Sequence, residues 1–213
     1  MSESKPLGAL DLAALLCSRV CHDVISPVGA IVNGLELFED EKDEGMRKSA
    51  LDLVRKSANQ ASGRLQFARI AFGAAGSAGA ALDLGDAESV VRGMLQDERL
   101  TIVWNLPRAL LPKNRVKLLL NLVLIASSSI PRGGKLTVDP VGEGETMGFR
   151  LSAEGPYAKV QPSVEALLTS GSADGIDAHA IQPHYTNLLA RDSALKISLT
   201  SAPESVVLTA APA

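Results

Sequence analysis

The chain of 213 residues contains very few aromatic side chains, which make up 3% of it. Hydrophobic residues nevertheless account for 46% of the sequence, which is enough to bury a core and argues against global disorder. A core with so few rings must be built from aliphatic side chains and alanine, a composition that suits packed helices. The length allows one large domain or two small ones.

Cysteine, excess charge and long apolar runs are also scarce. Two cysteines do not make a disulfide framework. A net charge of −3 predicts no binding to nucleic acid or to an anionic membrane. The longest apolar run, at residues 118–126, is too short to span a bilayer, and the N-terminus lacks the pattern of a signal peptide. We therefore expect a soluble cytoplasmic protein with no membrane segment.

Two stretches with helical periodicity open the chain. Apolar residues of the first recur at three- and four-residue steps: Leu12, Leu16, Val20, Val24, Ile31, Leu35 and Phe38. After a charged segment with a glycine, similar spacing returns at Ala50, Val54, Ala58, Ala61, Leu65, Ala68 and Phe72. The spacing predicts a hairpin of two helices with narrow apolar seams over residues 1–75. Since two narrow seams cannot enclose a core, we expect a homodimer in which two hairpins form a four-helix bundle.

A different pattern follows a small-residue linker at residues 76–81. Within 82–213 we predict helices at residues 86–98, 114–129 and 178–190. Short alternating stretches predict strands at 100–104, 134–141 and 147–154, and a closing hairpin at 195–209. The predicted fold class is α+β, with the helical hairpin followed by an α/β sandwich that has helices on one face of a sheet.

His22 lies on the opposite side of the first helix from the seam. On a helical wheel it is about 160–200° from Val20, Val24 and Ile31. An ordinary solvated face would carry many Lys and Glu side chains. The residues near His22 are instead mostly small, polar or mildly apolar: Leu15, Ser18, Arg19, Ile25, Ser26, Gly29, Asn33 and Glu36. This surface would let another protein approach the histidine closely.

The neighbours of His22 favour chemistry at the imidazole. An exposed imidazole is a competent nucleophile, and the carboxylate of Asp23 can orient it. Ser26, one turn further on, can hydrogen-bond a group held at the ring. Pro27 removes a backbone donor and leaves the carbonyl of Asp23 without its helical partner. Because proline is costly inside a helix, its presence favours a functional site over the alternative, a lone surface histidine on a dimerisation helix.

Residues 22–27 read His-Asp-Val-Ile-Ser-Pro, which resembles the phospho-acceptor box His-Glu/Asp-x-x-Thr/Ser/Asn-Pro of two-component histidine kinases. The second domain is similar in size and order to the kinase ATP-binding domain. Asn121 matches the first asparagine of the kinase N-box, but Ile125 stands where the Mg²⁺-binding asparagine belongs. Both glycine-rich boxes are missing, from 152–160 and from 177–189. Since nucleotide phosphates need such glycines and a metal ligand, we expect a degenerate ATPase domain that binds no nucleotide.

This combination, together with residues 10–37 and 64–80, resembles the ChpT-type histidine phosphotransferases of alphaproteobacterial cell-cycle phosphorelays. The resemblance implies a protein-histidine phosphotransferase without ATP-dependent kinase activity. His22 would become the phosphohistidine, with Asp23 as its orienting partner and Ser26 as a polar contact. Phosphate would come from the receiver domain of a hybrid histidine kinase of the CckA type. It would pass to the aspartate of response-regulator receiver domains of the CtrA and CpdR type.

A receiver domain brings its own Mg²⁺, so we expect no metal or cofactor held by this chain. We expect the receiver to dock on the His22 face, with a subsidiary contact from the second domain. The predicted docking residues are Leu15, Ser18, Arg19, Ile25, Gly29 and Asn33, with Arg64 and Arg69 from the second helix.

Two other functions remain open on the sequence alone. An ATP-dependent sensor histidine kinase is disfavoured by the missing boxes, and a non-catalytic dimeric adaptor is disfavoured by the acceptor box. Cys17 and Cys21 diverge from His22 on the wheel, so we expect partly buried apolar residues rather than metal ligands. Other residues are expected in structural rather than catalytic roles. We expect His179 and His184 at the surface or in helix caps, Trp104 in packing, and Asn121 as a relic of the kinase box or a local hydrogen-bonding residue.

Overall fold

The computed structural model describes residues 7–73, 81–95, 97–169, 177 and 180–212. The predicted linker at 76–81 therefore falls outside the described residues except for Ala81, which begins a strand. His179 also lies outside them.

The chain opens with a helical hairpin, as the periodicity predicts. Helix α1 spans Ala9–Asp40 and helix α2 spans Glu44–Ala71. The connection is shorter than the charged segment suggests, because Asp43 caps α2 by accepting a hydrogen bond from the Met46 N–H at 2.8 Å. Arg47 closes the turn by donating to the Phe38 carbonyl at 2.6 Å while its guanidinium lies over the Phe38 ring.

The second unit mixes short strands and helices. Its elements are β1 (Ala81–Asp83), α3 (Leu84–Leu95), β2 (Leu100–Trp104), β3 (Leu110–Pro112), α4 (Lys113–Ser128), β4 (Gly134–Val141), a 3₁₀ turn (Gly144–Thr146), β5 (Gly148–Glu154), α5 (Pro162–Thr169), α6 (Ile181–Asp192), β6 (Leu195–Ala202) and β7 (Ser205–Pro212). The predicted helices and strands are confirmed to within a few residues. Strands β1 and β3 and helix α5 are not predicted, because each is too short to show a period.

One face of the main sheet carries the core. The sheet has the strand order β2-β4-β5-β7-β6, in which β2 and β4 are parallel and the other pairs antiparallel, while β1 and β3 form a separate two-stranded ribbon. Alternate strand residues such as Leu136, Leu151 and Leu208 are fully buried, whereas their neighbours Lys135 and Arg150 face outwards. This alternation confirms a sheet with helices on one face. Helix α4 lies within the core, which explains its nearly continuous apolar sequence.

The end of α2 belongs to the core of the second unit. Phe67, Ile70 and Ala71 are buried in one hydrophobic cluster with residues of α3 and α4. Closer to the middle of α2, a Cβ added to Gly63 would stand 2.7 Å from the Gly93 carbonyl oxygen. Glycine at position 63 therefore permits a close approach of α2 and α3. Helix α6 also contacts α1, so the hairpin and the second unit pack together.

Candidate functional site

His22 lies near the middle of α1, with 63% of its side chain exposed. Residues on the same face are exposed as well: Ser18, Ile25, Ser26, Gly29 and Asn33, with Leu15 half-buried. The seam residues Val20, Val24 and Ile31 are half-buried. The structure therefore brings the residues predicted around His22 onto one accessible face of the helix.

Asp23 is anchored beside the imidazole. Its Oδ1 lies 3.6 Å from His22 Nδ1, and its Oδ2 accepts a hydrogen bond from Arg19 Nε at 3.0 Å. A carboxylate on the Nδ1 side favours the tautomer with hydrogen on Nδ1, which leaves the lone pair on Nε2. Arg19 is thus engaged with Asp23 within α1, as well as bordering the predicted docking face.

The proline of the box is compensated from the second helix. Pro27 is buried in α1 and has no N–H to give to the Asp23 carbonyl four residues earlier. Arg64 of α2 donates a hydrogen bond from Nη1 to that carbonyl oxygen. The sequence suggests only docking for Arg64. The sequence signal for such a contact is Pro27 itself, because a buried carbonyl that loses its helical N–H partner requires another hydrogen-bond donor.

Arg69 lies away from the His22 face, which corrects the expectation that groups it with the docking residues. It lines a cavity of about 500 Å³ between the two arms, together with Ala13, Cys17, Leu65 and Phe72. These positions of α1 point to the seam side, roughly opposite His22. Cys17 and Cys21 are both exposed on the chain, not partly buried as expected.

Large apolar side chains remain exposed along both arms of the hairpin. Leu35 of α1 is 43% exposed and Leu65 of α2 is 51% exposed, and Val28, Val32 and Leu51 are also exposed. Contiguous apolar surface of this kind marks an interaction site. By length and composition alone, α1 could also cross a membrane. The core helix of a bundle has the same composition, so this property does not distinguish the two environments.

Asn121, which matches the first asparagine of the kinase N-box in the sequence, is fully buried and forms hydrogen bonds with other groups of the protein. Its Nδ2 donates to the carbonyls of Lys117 at 2.9 Å and Ala71 at 3.3 Å. Gln182 Nε2 donates to the Asn121 carbonyl at 2.9 Å and to its Oδ1 at 3.3 Å. Asn121 is therefore a hydrogen-bonding residue that joins α2, α4 and α6. Ile125 is buried in the core.

Within the described ranges, no group of three or more His, Cys, Asp or Glu residues is placed to hold a metal ion. His184 is buried on α6, so the expected surface or capping role is wrong. Burial lowers the pKa of its imidazole, and the charge of Arg191 lowers it further. Its Nδ1 has no hydrogen-bond partner among the described residues.

Comparison with known proteins gives matches along nearly the whole chain. The family model of the histidine phosphotransferase C-terminal domain matches residues 84–205. The protein phosphotransferase ChpT of Brucella abortus (strain 2308) is 50% identical over 212 residues, which cover 99% of this chain and 100% of that protein. A bacterial phosphotransferase structure solved at 1.7 Å is 48% identical, with a TM-score of 0.87 over 98% of this chain and 100% of that one. The two full-length matches include the His22 hairpin as well as the second unit.

Proposed function

Because this chain belongs to the histidine phosphotransferase family, we propose that His22 is the residue that carries phosphate in its phosphorelay. The chain is a protein phosphotransferase whose partners are of the response-regulator type. In the proposal, a hybrid histidine kinase of the CckA type donates from its receiver domain, and regulators of the CtrA and CpdR type accept, in cell-cycle control. The observation that most strongly supports this proposal is the exposed imidazole of His22 beside Asp23, whose carboxylate is anchored by Arg19.

The arrangement at His22 suits a reversible transfer between histidine and aspartate. The Nε2 lone pair attacks the phosphorus of the donor's aspartyl phosphate, so that a P–N bond forms while the P–O bond breaks and the donor aspartate leaves as a carboxylate. Nδ1 keeps its hydrogen, and Asp23 stabilises the positive charge that the ring acquires. In the second half, an acceptor aspartate attacks phosphorus, and the P–N electron pair returns to Nε2. His22 therefore carries the phosphoryl group, and Asp23 orients the imidazole of His22.

The partner receivers supply the remaining electrostatics. Phosphoryl transfer requires in-line placement and neutralisation of the charge on the phosphoryl oxygens. A receiver's Mg²⁺ and cationic side chain meet that need, so the chain uses no cofactor or metal of its own. Ser26, exposed one turn from His22, is positioned to hydrogen-bond a phosphoryl oxygen. The receiver rests on the face formed by Leu15, Ser18, Arg19, Ile25, Gly29 and Asn33.

The functional unit in this proposal is a homodimer. Its two hairpins form a four-helix bundle that covers the exposed apolar residues of both arms, including Leu35 and Leu65. Burial in a bundle accounts for the apolar character of α1 without a membrane, which fits a soluble cytoplasmic protein. In this proposal, residues 1–75 form the domain that dimerises and transfers the phosphoryl group. Residues 76–81 are a linker, and residues 82–213 form the degenerate ATPase domain. Helix α6 lies against α1, which supports a subsidiary contact of this domain with the receiver.

The second domain takes no part in nucleotide chemistry. Both ends of the Asn121 amide are engaged by protein groups. Ile125 offers no oxygen ligand for Mg²⁺ where a kinase has its second asparagine. This arrangement supports phosphotransfer over ATP-dependent autophosphorylation.

A radiolabel assay tests the proposal. The protein is mixed with a ³²P-labelled receiver domain of a hybrid kinase and, separately, with labelled ATP alone. We expect acid-labile, alkali-stable label from the receiver, as is characteristic of phosphohistidine, and none from ATP. Label from ATP alone would support a sensor kinase, and no label from either donor would support an adaptor.

A further inference from the structure

The contact between Arg64 and the Asp23 carbonyl replaces a hydrogen bond that an ordinary helix makes internally. In an uninterrupted helix the N–H of residue 27 would bind the carbonyl of residue 23. Pro27 cannot donate, so the carbonyl of the residue next to His22 is held from α2 instead. The position of Asp23 therefore depends on how α2 lies against α1 at this level.

Asp23 is restrained at several atoms. Arg64 binds its carbonyl oxygen, Arg19 binds its Oδ2, and its Oδ1 faces His22 Nδ1 at 3.6 Å. Arg64 is half-buried, and the ion pairs among the residues that the structure describes do not include it. A guanidinium bound to a neutral carbonyl gives a charge-assisted hydrogen bond, which is stronger than a neutral one. The contact thus holds the backbone that carries both the imidazole and its orienting carboxylate.

We propose that Arg64 is a positioning residue for phosphotransfer, which acts through the Asp23 carbonyl that Pro27 leaves without a helical donor. The inference rests on the proposed function of His22 and adds to it a residue of the second arm. Transfer requires the attacking nitrogen to lie in line with the phosphorus, and small displacements reduce the rate steeply. Arg64 sets this alignment without touching the phosphoryl group.

The first test is a pair of substitutions at position 64. Arg64→Met keeps most of the apolar stem and removes every donor, whereas Arg64→Lys keeps the charge and one donor group. In single-turnover transfer from a ³²P-labelled receiver domain, we expect Arg64→Met to lower the maximal rate about tenfold. The receiver concentration that gives half of that rate should stay unchanged, and Arg64→Lys should recover part of the loss. The control is Arg55→Met on the same helix, an exposed arginine that pairs with Asp52 at 3.2 Å.

A double-mutant cycle with Pro27 separates positioning from a general structural effect. Pro27→Ala restores an N–H that can bind the Asp23 carbonyl within α1. In that background we expect Arg64→Met to change the maximal rate by less than about twofold, because the carbonyl no longer needs Arg64.

Two results would overturn the inference. One is an equal loss on Arg64→Met in both backgrounds, and the other is a raised half-saturating concentration at an unchanged maximal rate, which would make Arg64 a receiver contact. Failure of the proposed function gives a different result, namely an unmodified protein that takes no label from the receiver.

Discussion

The side-chain amide of Asn121 donates a hydrogen bond to the carbonyl of Ala71, at the last residue of α2. The oxygen of the same amide accepts a hydrogen bond from Gln182 of α6. Asn121 therefore fastens the second unit to the hairpin. The packing of Phe67 and Ile70 in the same core strengthens this attachment. The second unit thereby fixes the end of α2, in the hairpin whose first helix carries His22.

Asn121→Ala should destabilise the protein by about 1–3 kcal/mol, because the buried carbonyl of Ala71 loses the Asn121 amide donor. Gln182 would keep only its hydrogen bond to the backbone carbonyl of residue 121. The free energy of unfolding from denaturant titration measures the loss. The matched control is Asn105→Ala, which removes an exposed hydrogen bond to Asp139 and should change stability by less than about 0.5 kcal/mol. Equal effects of the two substitutions would show that the buried hydrogen bonds of Asn121 add no more to stability than an exposed hydrogen bond does.

Leu65→Asp and Leu35→Asp should each convert the proposed dimer to a monomer, because a buried and unpaired carboxylate is costly in a bundle seam. Sedimentation velocity at micromolar concentration measures the change. Leu110→Asp, at an exposed leucine of the second unit, is the control and should leave the dimer intact. A monomeric unmodified protein would refute the bundle.

Gly29→Arg should slow transfer from a phosphorylated receiver without altering the fold or the dimer. A Cβ at Gly29 meets no other atom within 4 Å, so the added side chain projects into the space where we place the receiver. Gly93→Arg is the control, since the Cβ position of that helical glycine is equally open. If the rates of the two variants match that of the unmodified protein, the receiver approaches from another side.

His184 should make the protein less stable in mild acid. Burial lowers its pKa from the ordinary 6.5, so the folded state resists protonation while the unfolded state accepts a proton below that pH. The unfolding free energy should therefore fall as pH drops below about 6.5, by at most about 1.4 kcal/mol per pH unit from this group. Denaturant unfolding at pH 7.5 and 5.0 should show a smaller decline for His184→Asn than for the unmodified protein. Equal declines would mean that the imidazole titrates alike in both states.

Periodicity alone gives the hairpin and most of the second unit, because long amphipathic helices and alternating strands leave clear patterns. The placement of His22 opposite the seam follows from the same pattern. The contact of Arg64 with Asp23 depends on the register between two helices, which local spacing does not encode. Asn121 meets α2 and α6 only after three distant segments pack, and the burial of His184 likewise comes from tertiary packing. Short strands such as β1 (Ala81–Asp83) carry too few residues for any period.

The most direct test of the account is to locate the phosphate on the protein. After labelling from a phosphorylated receiver domain, peptide mapping under alkaline conditions should find the phosphoryl group on His22 alone. His22→Ala should take no label, yet remain folded and dimeric, because an exposed side chain contributes little to stability. Label that persists in His22→Ala, or that maps to His179 or His184, would contradict the assignment of His22 as the phosphate carrier.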